Sequence, residues 1–451
     1  MTPNVLFIVI DDLRPQLGCY GNTQMVTPHI DALAERGMRF ERAYCQVPVC
    51  GASRASVLTG HRPRRDRFVD YDAWAERDLP TAVTLPEHFR GSGYVTLSNG
   101  KVFHHRPDTA QRSWSEEPWF PVIPRKPGRW RNYALDDNAA RAREHGGKGP
   151  AWESAEVSDE AYFDGQIAAK SIADLNRLVR QDRPWFLATG FIKPHLPFNA
   201  PRRYWDLYDA DRVSLADNPY PPEHVPPQAL HNFGELRSYF NIPDQGALSE
   251  QTSRNLVHGY YAATSYVDAQ VGRVLDELDR LGQRENTVVV FWGDHGWQLG
   301  EHALWCKHCN FDTSLHAPLI VAAPDACRGA HTRRLVEFVD IYPTLCDLCG
   351  IGPPEGLEGD SFAPLLDGSD RPWKSAVFSR YHAGDSVRTD RHLYTQWTDD
   401  AGNVTARMCY DHAADPAENH NIAERPELAS VMAELSRCLR EQTEPAGPTN
   451  R

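Results

Sequence analysis

The run Thr287-Val288-Val289-Val290-Phe291-Trp292 is almost continuously apolar and rich in β-branched residues. This feature most constrains the fold. A strand with one face in water alternates apolar and polar residues, whereas one with no polar face must be covered on both sides, as in a central parallel strand. Asn4-Val5-Leu6-Phe7-Ile8-Val9-Ile10 reads as the first strand. Between such runs lie amphipathic stretches. Thr27 to Gly37 carries a cap, an early proline and a terminal glycine, as a short helix does. Helices are expected from Cys50 to Thr59, from Thr84 to Arg90, over residues 158–180 and, as one long helix, from Leu256 to Leu281. Strands are expected at Tyr94 to Ser98, Trp185 to Gly190 and Pro318 to Ala323. The alternation predicts an α/β fold, a large mostly parallel central sheet flanked by helices.

After about residue 370 the pattern changes. Short antiparallel strands are expected at Ala376 to Arg380 and Arg391 to Trp397, with a final helix from Pro426 to Gln442. The chain is therefore read as a catalytic domain over residues 1–370 and a smaller C-terminal subdomain over 371–451. Residues 105–157 and 200–248 show no clear period and are expected to be largely irregular, forming walls of a substrate pocket.

The formal charge, 48 basic against 61 acidic residues, is −13, which argues against a nucleic-acid or anionic-membrane partner. An anionic substrate would then need a local cationic pocket, for which His61 to Arg67 (HRPRRDR) is a candidate. No apolar run approaches the roughly 18 residues of a membrane span. The N-terminus shows neither a basic leader nor a small-residue cleavage site, so a cytoplasmic protein with reduced thiols is expected. Two C-x-x-C pairs, Cys306/Cys309 and Cys346/Cys349, imitate a four-thiolate zinc site. Cys346 and Cys349, however, fall in an amphipathic helix stopped by Gly350, and buried structural thiols explain them more simply.

The chemistry-bearing residues recur at strand ends, where open α/β sheets place their sites. Asp11 and Asp12 end the first strand, and Asp294 and His295 follow the Thr287–Trp292 run. Adjacent carboxylates repel unless a cation neutralises them. Three carboxylates and an imidazole suit a divalent ion; oxygen-dominated ligation favours calcium and leaves manganese or magnesium open. Cys50 stands in Val49-Cys50-Gly51-Ala52-Ser53-Arg54-Ala55-Ser56-Val57-Leu58-Thr59-Gly60.

That last run resembles the sulfatase signature, C-x-(P/A)-S-R followed closely by L-T-G. Together with Gly100-Lys101, Lys193-Pro194-His195 and Asp294-His295-Gly296, it makes the chain similar to type I sulfatases of the alkaline phosphatase superfamily. Asp11-Asp12-Leu13-Arg14-Pro15, Gly100-Lys101-Val102-Phe103-His104, Asp294-His295-Gly296-Trp297, Gly300-Glu301-His302 and Lys307 place the likeness nearest the iduronate-2-sulfatase branch. The resemblance implies that a maturation enzyme oxidises Cys50 to formylglycine, whose hydrate is the nucleophile. It implies Asp11, Asp12, Asp294, His295 and the modified Cys50 as metal ligands. Arg54 and Lys101 would steady the hydrate and offset sulfate charge. His104 would take a proton during sulfate release. His195 and Lys307 would contact sulfate, one of them protonating the departing alcohol. The function this implies is hydrolysis of an O-sulfate ester, on a small sulfated sugar above all. The rivals are a phosphodiester or phosphonate monoester hydrolase on the same scaffold and a sulfated-sugar binder never oxidised at Cys50. The sequence leaves the oligomeric state open.

Overall fold

The two apolar runs pair side by side. In the computed structural model, which describes residues 2–122, 132–369 and 371–443, Asn4–Ile10 and Thr287–Gly293 are adjacent parallel strands, register Ile10 opposite Gly293. They lie inside a seven-stranded sheet of order Ala330–Thr332, Met38–Phe40, Leu319–Ala322, Thr287–Gly293, Asn4–Ile10, Trp185–Phe191, Val95–Gly100. Only Leu319–Ala322 runs against its neighbours.

Both faces of the first strand are buried, as its composition requires. Val5, Phe7 and Val9 join one apolar cluster, which includes Ala55, Val57 and Leu58 from the helix Cys50–Thr59 and Ile341 and Leu345 from the helix Ile341–Cys349. Leu6, Ile8 and Ile10 join the other, with Ile167 and Leu175 from the helix Phe163–Leu178 and Val267, Val271 and Val274 from the helix Glu250–Arg280. The period of two that sends alternate residues to opposite faces thus meets helices on each side.

The C-terminal part is a four-stranded antiparallel sheet, Ala376–Tyr381, Gly384–Thr389, His392–Thr398 and Val404–Asp411. The helix Ala429–Thr443 covers it through Met432, Leu435 and Leu439. Two of these strands, Gly384–Thr389 and Val404–Asp411, escape the sequence reading because polar residues interrupt their apolar alternation. The first strand braces the segment that leads to Cys50: Ser379 Oγ donates to the Cys45 carbonyl and Arg380 N to the Gln46 carbonyl, at 2.5 and 2.7 Å. Residue 370, where the domain boundary was placed, lies outside the described residues.

The 105–157 stretch is more ordered than expected. It holds the helices Ala110–Ser113 and Asp136–Glu144 and the strand Trp152–Ala155, which pairs in parallel with Phe198–Pro201. Ala155 and Trp152 pack with Tyr204, Trp205, Ala262 and Tyr266 around the long helix, so this part supports the fold's outer layer. Residues 123–131 of the stretch lie outside the described residues. Among the described residues no helix is long and apolar enough to cross a membrane.

The Cys346/Cys349 pair lies on the helix Ile341–Cys349, ended by Gly350 in the left-handed conformation. Those two thiols belong to one apolar cluster, Cys306 to a second and Cys309 to a third. Separate cores explain their burial.

Candidate active site

The site grows from the register of two strands. Because Ile10 faces Gly293, the residues that follow are brought together: Asp294 N donates to the Ile10 carbonyl at 3.1 Å, and Asp12 N donates to Asp294 Oδ1 at 3.0 Å. Asp12 adopts a left-handed backbone, φ 62°, uncommon outside glycine and tolerated by short polar side chains. Asp11, Asp12, Asp294 and His295 are all fully buried. Oxygens of the three aspartates approach within 4.8 Å of one another.

Cys50 is the first residue of its helix, preceded by an extended Val49. Its Sγ lies 3.8 Å from Asp12 Oδ1 and 3.4 Å from His295 Nε2. The helix is pinned by Ser53, whose Oγ donates to the Asp294 carbonyl at 2.5 Å. One turn along, Arg54 donates from Nε to Asp294 Oδ2 at 2.8 Å, from a terminal nitrogen to Asp11 Oδ1 at 3.2 Å, and to the Lys101 and Val102 carbonyls. The hydrogen bonds of Arg54 therefore go to the aspartates and to backbone.

Lys101 arrives from the end of the strand Val95–Gly100, and its ammonium pairs with Asp11. The approach is tight. Gly100 has φ 78°, and a Cβ on Gly190 of the neighbouring strand would sit 2.0 Å from the Lys101 carbonyl oxygen. Gly190→Ala is therefore expected to destabilise the protein by about 3 kcal/mol, at the upper end of ordinary single substitutions. Thermal denaturation checks this, and an unchanged Tm would mean that the backbone yields there without cost.

His104 is partly buried. Burial and the Lys101 charge push its imidazole far below the usual range. Its ring meets His105 edge-on at 4.7 Å, and His105 stacks on Trp74 at 4.2 Å. His195 follows the strand Trp185–Phe191; its Nδ1 contacts the Leu196 carbonyl at 2.6 Å, and its Nε2 lies 3.8 Å from Asp12. Lys307 places Nζ 3.1 and 3.2 Å from the two oxygens of Asp12 and 4.8 Å above the Trp297 ring. It is presented between Cys306 and His308, both with positive φ, 74° and 69°. Strained backbone of this kind persists where surrounding structure overdetermines it, commonly at functional sites.

All ten residues nominated from the sequence thus surround one centre, either in it or, for His104, beside Lys101. The basic run His61–Arg67 does not join them. Arg62 forms a bidentate pair with Glu337, while Arg64 and Arg67 pair with Glu358. Arg65 reaches Asp400 and Thr398. Acidic partners absorb that charge into a structural network, so it does not supply the anion pocket.

Glu235 is the residue the sequence reading missed. It lies in the short helical turn Gly234–Arg237 within the irregular 200–248 stretch, where a lone glutamate carries no periodic or motif signal. Its Oε2 is 2.8 Å from Lys307 Nζ and its Oε1 3.3 Å from His195 Nε2.

The donor set fits a divalent cation. Four carboxylates, Asp11, Asp12, Asp294 and Glu235, face the fixed cations Arg54, Lys101 and Lys307. Burial pushes the Asp12 carboxyl well above its ordinary range; Lys307 opposes this, and Asp11 and Glu235 add to it. Such a carboxyl ionises readily only beside further positive charge. Burial alone would raise Asp11 too, but Lys101, His195 and Arg54 hold it well below the usual range. His295 Nδ1 lies 2.9 Å from the Gly296 carbonyl. A carbonyl only accepts, so in the neutral ring Nδ1 carries the proton and Nε2 turns its lone pair toward the aspartates.

Comparison with known proteins places this arrangement. Residues 3–351 match the Sulfatase family, and residues 300–445 match the C-terminal family described as N-sulphoglucosamine sulphohydrolase. The chain is 33% identical to iduronate 2-sulfatase of Mus musculus, over 93% of this chain and 90% of that protein. Among solved structures it resembles one bound to D-glucosamine-2-N,6-O-disulfate, with TM-score 0.77, 21% identity and full coverage of both chains. It also resembles a phosphonate monoester hydrolase from Silicibacter pomeroyi, with TM-score 0.79, 24% identity and coverage of 98% and 96%. These last two likenesses concern the fold.

Proposed function

The chain belongs to the sulfatase family and is a sulfuric ester hydrolase; on that premise we propose that it removes O-sulfate from a small sulfated sugar, with residue 50 as the nucleophile. The observation that carries this reading is the placement of Cys50 Sγ, at a helix start, within 3.8 Å of Asp12 and 3.4 Å of His295. A buried thiol there is a poor nucleophile, since burial and Asp11 push it well above its ordinary range. Oxidised to formylglycine by a maturation enzyme and hydrated, residue 50 supplies an oxygen nucleophile and a second hydroxyl through which sulfate is released. Ala52 keeps the motif within the range that such an enzyme reads.

Asp11, Asp12, Asp294 and His295, with the modified residue 50, would hold a divalent cation, calcium before manganese or magnesium. When bound, the ion withdraws charge from the sulfate and acidifies the attacking hydroxyl. The protein's own groups divide the remaining work. Arg54 fixes the directions of Asp11 and Asp294. Lys101 and Lys307 offer fixed positive charge to the non-bridging sulfate oxygens, which costs no reorganisation during reaction. His104, kept neutral by burial and by Lys101, is suited to accept a proton from residue 50 as sulfate departs. His195 or Lys307 protonates the departing alcohol, a step that contributes about 10²–10⁴-fold for a poor leaving group.

The mouse relative's name supports a 2-O-sulfated uronic acid as the sugar. The C-terminal subdomain acts in this account through its strand Ala376–Tyr381, which braces the Cys45–Gln46 segment. Turnover of an aryl sulfate against an aryl phosphodiester, followed by a panel of defined sulfated sugars, tests the reading. Sulfate-ester preference of about 10²-fold or more in kcat/KM, nearly 3 kcal/mol of transition-state discrimination, is expected. Faster phosphodiester cleavage would transfer the assignment to the phosphonate and phosphodiester hydrolases.

A further inference from the structure

We propose that Glu235 is a positioning residue that anchors Lys307 beside His195, an inference that rests on the sulfatase reading above. Glu235 Oε2 lies 2.8 Å from Lys307 Nζ, an ion pair, and Oε1 lies 3.3 Å from His195 Nε2, which donates to it only in the doubly protonated ring because Nδ1–H already faces the Leu196 carbonyl. The two partners come from distant parts of the chain. His195 follows the strand Trp185–Phe191, and Lys307 follows the two-residue strand Trp305–Cys306. Among the described contacts, Glu235 and Asp12 are the side chains that touch both.

Asp12 alone cannot fix Lys307 during turnover. With a cation among the aspartates, its charge is committed, and its attraction for the Lys307 ammonium weakens. A lysine side chain carries large rotamer freedom and one compact charge, so it needs a second anchor to remain directed at an anionic substrate. Glu235 supplies that anchor, and the Trp297 face, 4.8 Å from Nζ, limits the remaining motion.

The segment bearing Glu235 is itself fixed. Leu236 is 1% exposed and shares an apolar cluster with Cys306, the residue before Lys307. Arg237 donates to the carbonyls of Asn232, Pro243 and Gly246 and lies 4.0 Å from the Phe233 ring centre. Movement of this turn would therefore move Lys307 with it. The Glu235 side chain remains 21% exposed, whereas the aspartates Asp11, Asp12 and Asp294 are fully buried. An additional carboxylate beside an anion site opposes binding unless it is satisfied by the cations it holds.

Glu235→Ala and Glu235→Gln, each made in the full-length matured protein and again in a Lys307→Ala background, test the assignment. Metal content and aldehyde fraction are measured for every variant. In the parent background, Glu235→Ala is expected to lower kcat/KM by about 10²-fold, the scale of a misplaced catalytic group. Glu235→Gln is expected to cost about 10-fold, because the amide keeps an accepting oxygen for Lys307 but loses the charge that makes the contact an ion pair. In the Lys307→Ala background, the further loss from Glu235→Ala is expected to fall below about 10-fold, since residues that act through one another are not additive. Equal losses in both backgrounds, or Glu235 variants within about twofold of the parent, would overturn the assignment; if the alanine variant fails to fold, the glutamine variant decides. A parent protein that releases no sulfate overturns the sulfatase reading itself, so the two failures are separable.

Discussion

Cys50→Ala is expected to lower sulfate-ester turnover by at least about 10⁴-fold, the scale at which enzymes lose a nucleophile, and to weaken metal binding by the loss of one ligand, while Tm stays near that of the parent. The thiol is 3% exposed and begins a helix. Alanine there keeps the helix start and removes one heavy atom from a polar centre, not from an apolar core. Its loss leaves Asp11, Asp12, Asp294 and Arg54 paired as before. Activity should therefore vanish without the structural collapse that would make the result ambiguous. Circular dichroism, elemental analysis and turnover on an aryl sulfate, measured on the same preparation, check the prediction. Near-parental turnover would remove residue 50 from the chemistry.

Asp294→Ala is expected to weaken divalent-metal binding by well over about 10²-fold, because even the hydrogen-bonding partners of metal ligands cost 10–100-fold when replaced. Asp294 makes two structural contacts besides any bond to metal. Its Oδ1 accepts from Asp12 N at 3.0 Å and its Oδ2 from Arg54 Nε at 2.8 Å. Alanine abolishes both; Asp294→Asn retains an oxygen for one while removing the charge. Metal occupancy by elemental analysis should therefore fall in both variants, and activity with it. The alanine variant should lose more thermal stability than the asparagine variant, since it leaves the buried Arg54 Nε and Asp12 N both without their acceptor, whereas the amide oxygen still serves one of them. Full occupancy in the asparagine variant would place the ion elsewhere.

The catalytic layer was legible in the sequence because its residues sit at ends of strongly patterned elements. The apolar runs before Asp11 and Asp294 can only be doubly covered strands, and the register of neighbouring parallel strands then brings their ends together. Cys50 and Lys101 carry local motif and turn signals. Glu235 was not legible: its turn is held by Leu236 against Cys306, a long-range contact with no local pattern. The arginines of His61–Arg67 were misread for the related reason that charge density in sequence does not reveal partners, and Glu337 and Glu358 arrive from far along the chain. The short elements in 105–157 were missed because the four-residue helix Ala110–Ser113 and the four-residue strand Trp152–Ala155 lack the length over which periodicity becomes visible, and the nine-residue helix Asp136–Glu144 carries only alanines as apolar residues.

The account stands or falls on residue 50 acting as an oxidised side chain. Trypsin releases the peptide Ala43–Arg54, which contains both Cys45 and Cys50, so fragmentation must assign any change to position 50. Conversion replaces CH₂SH by CHO and lowers the mass by about 18 Da. Across preparations matured to different extents, sulfate released per enzyme is expected to rise in proportion to the aldehyde fraction at position 50. Fully active protein in which Cys50 remains an unmodified thiol would contradict it.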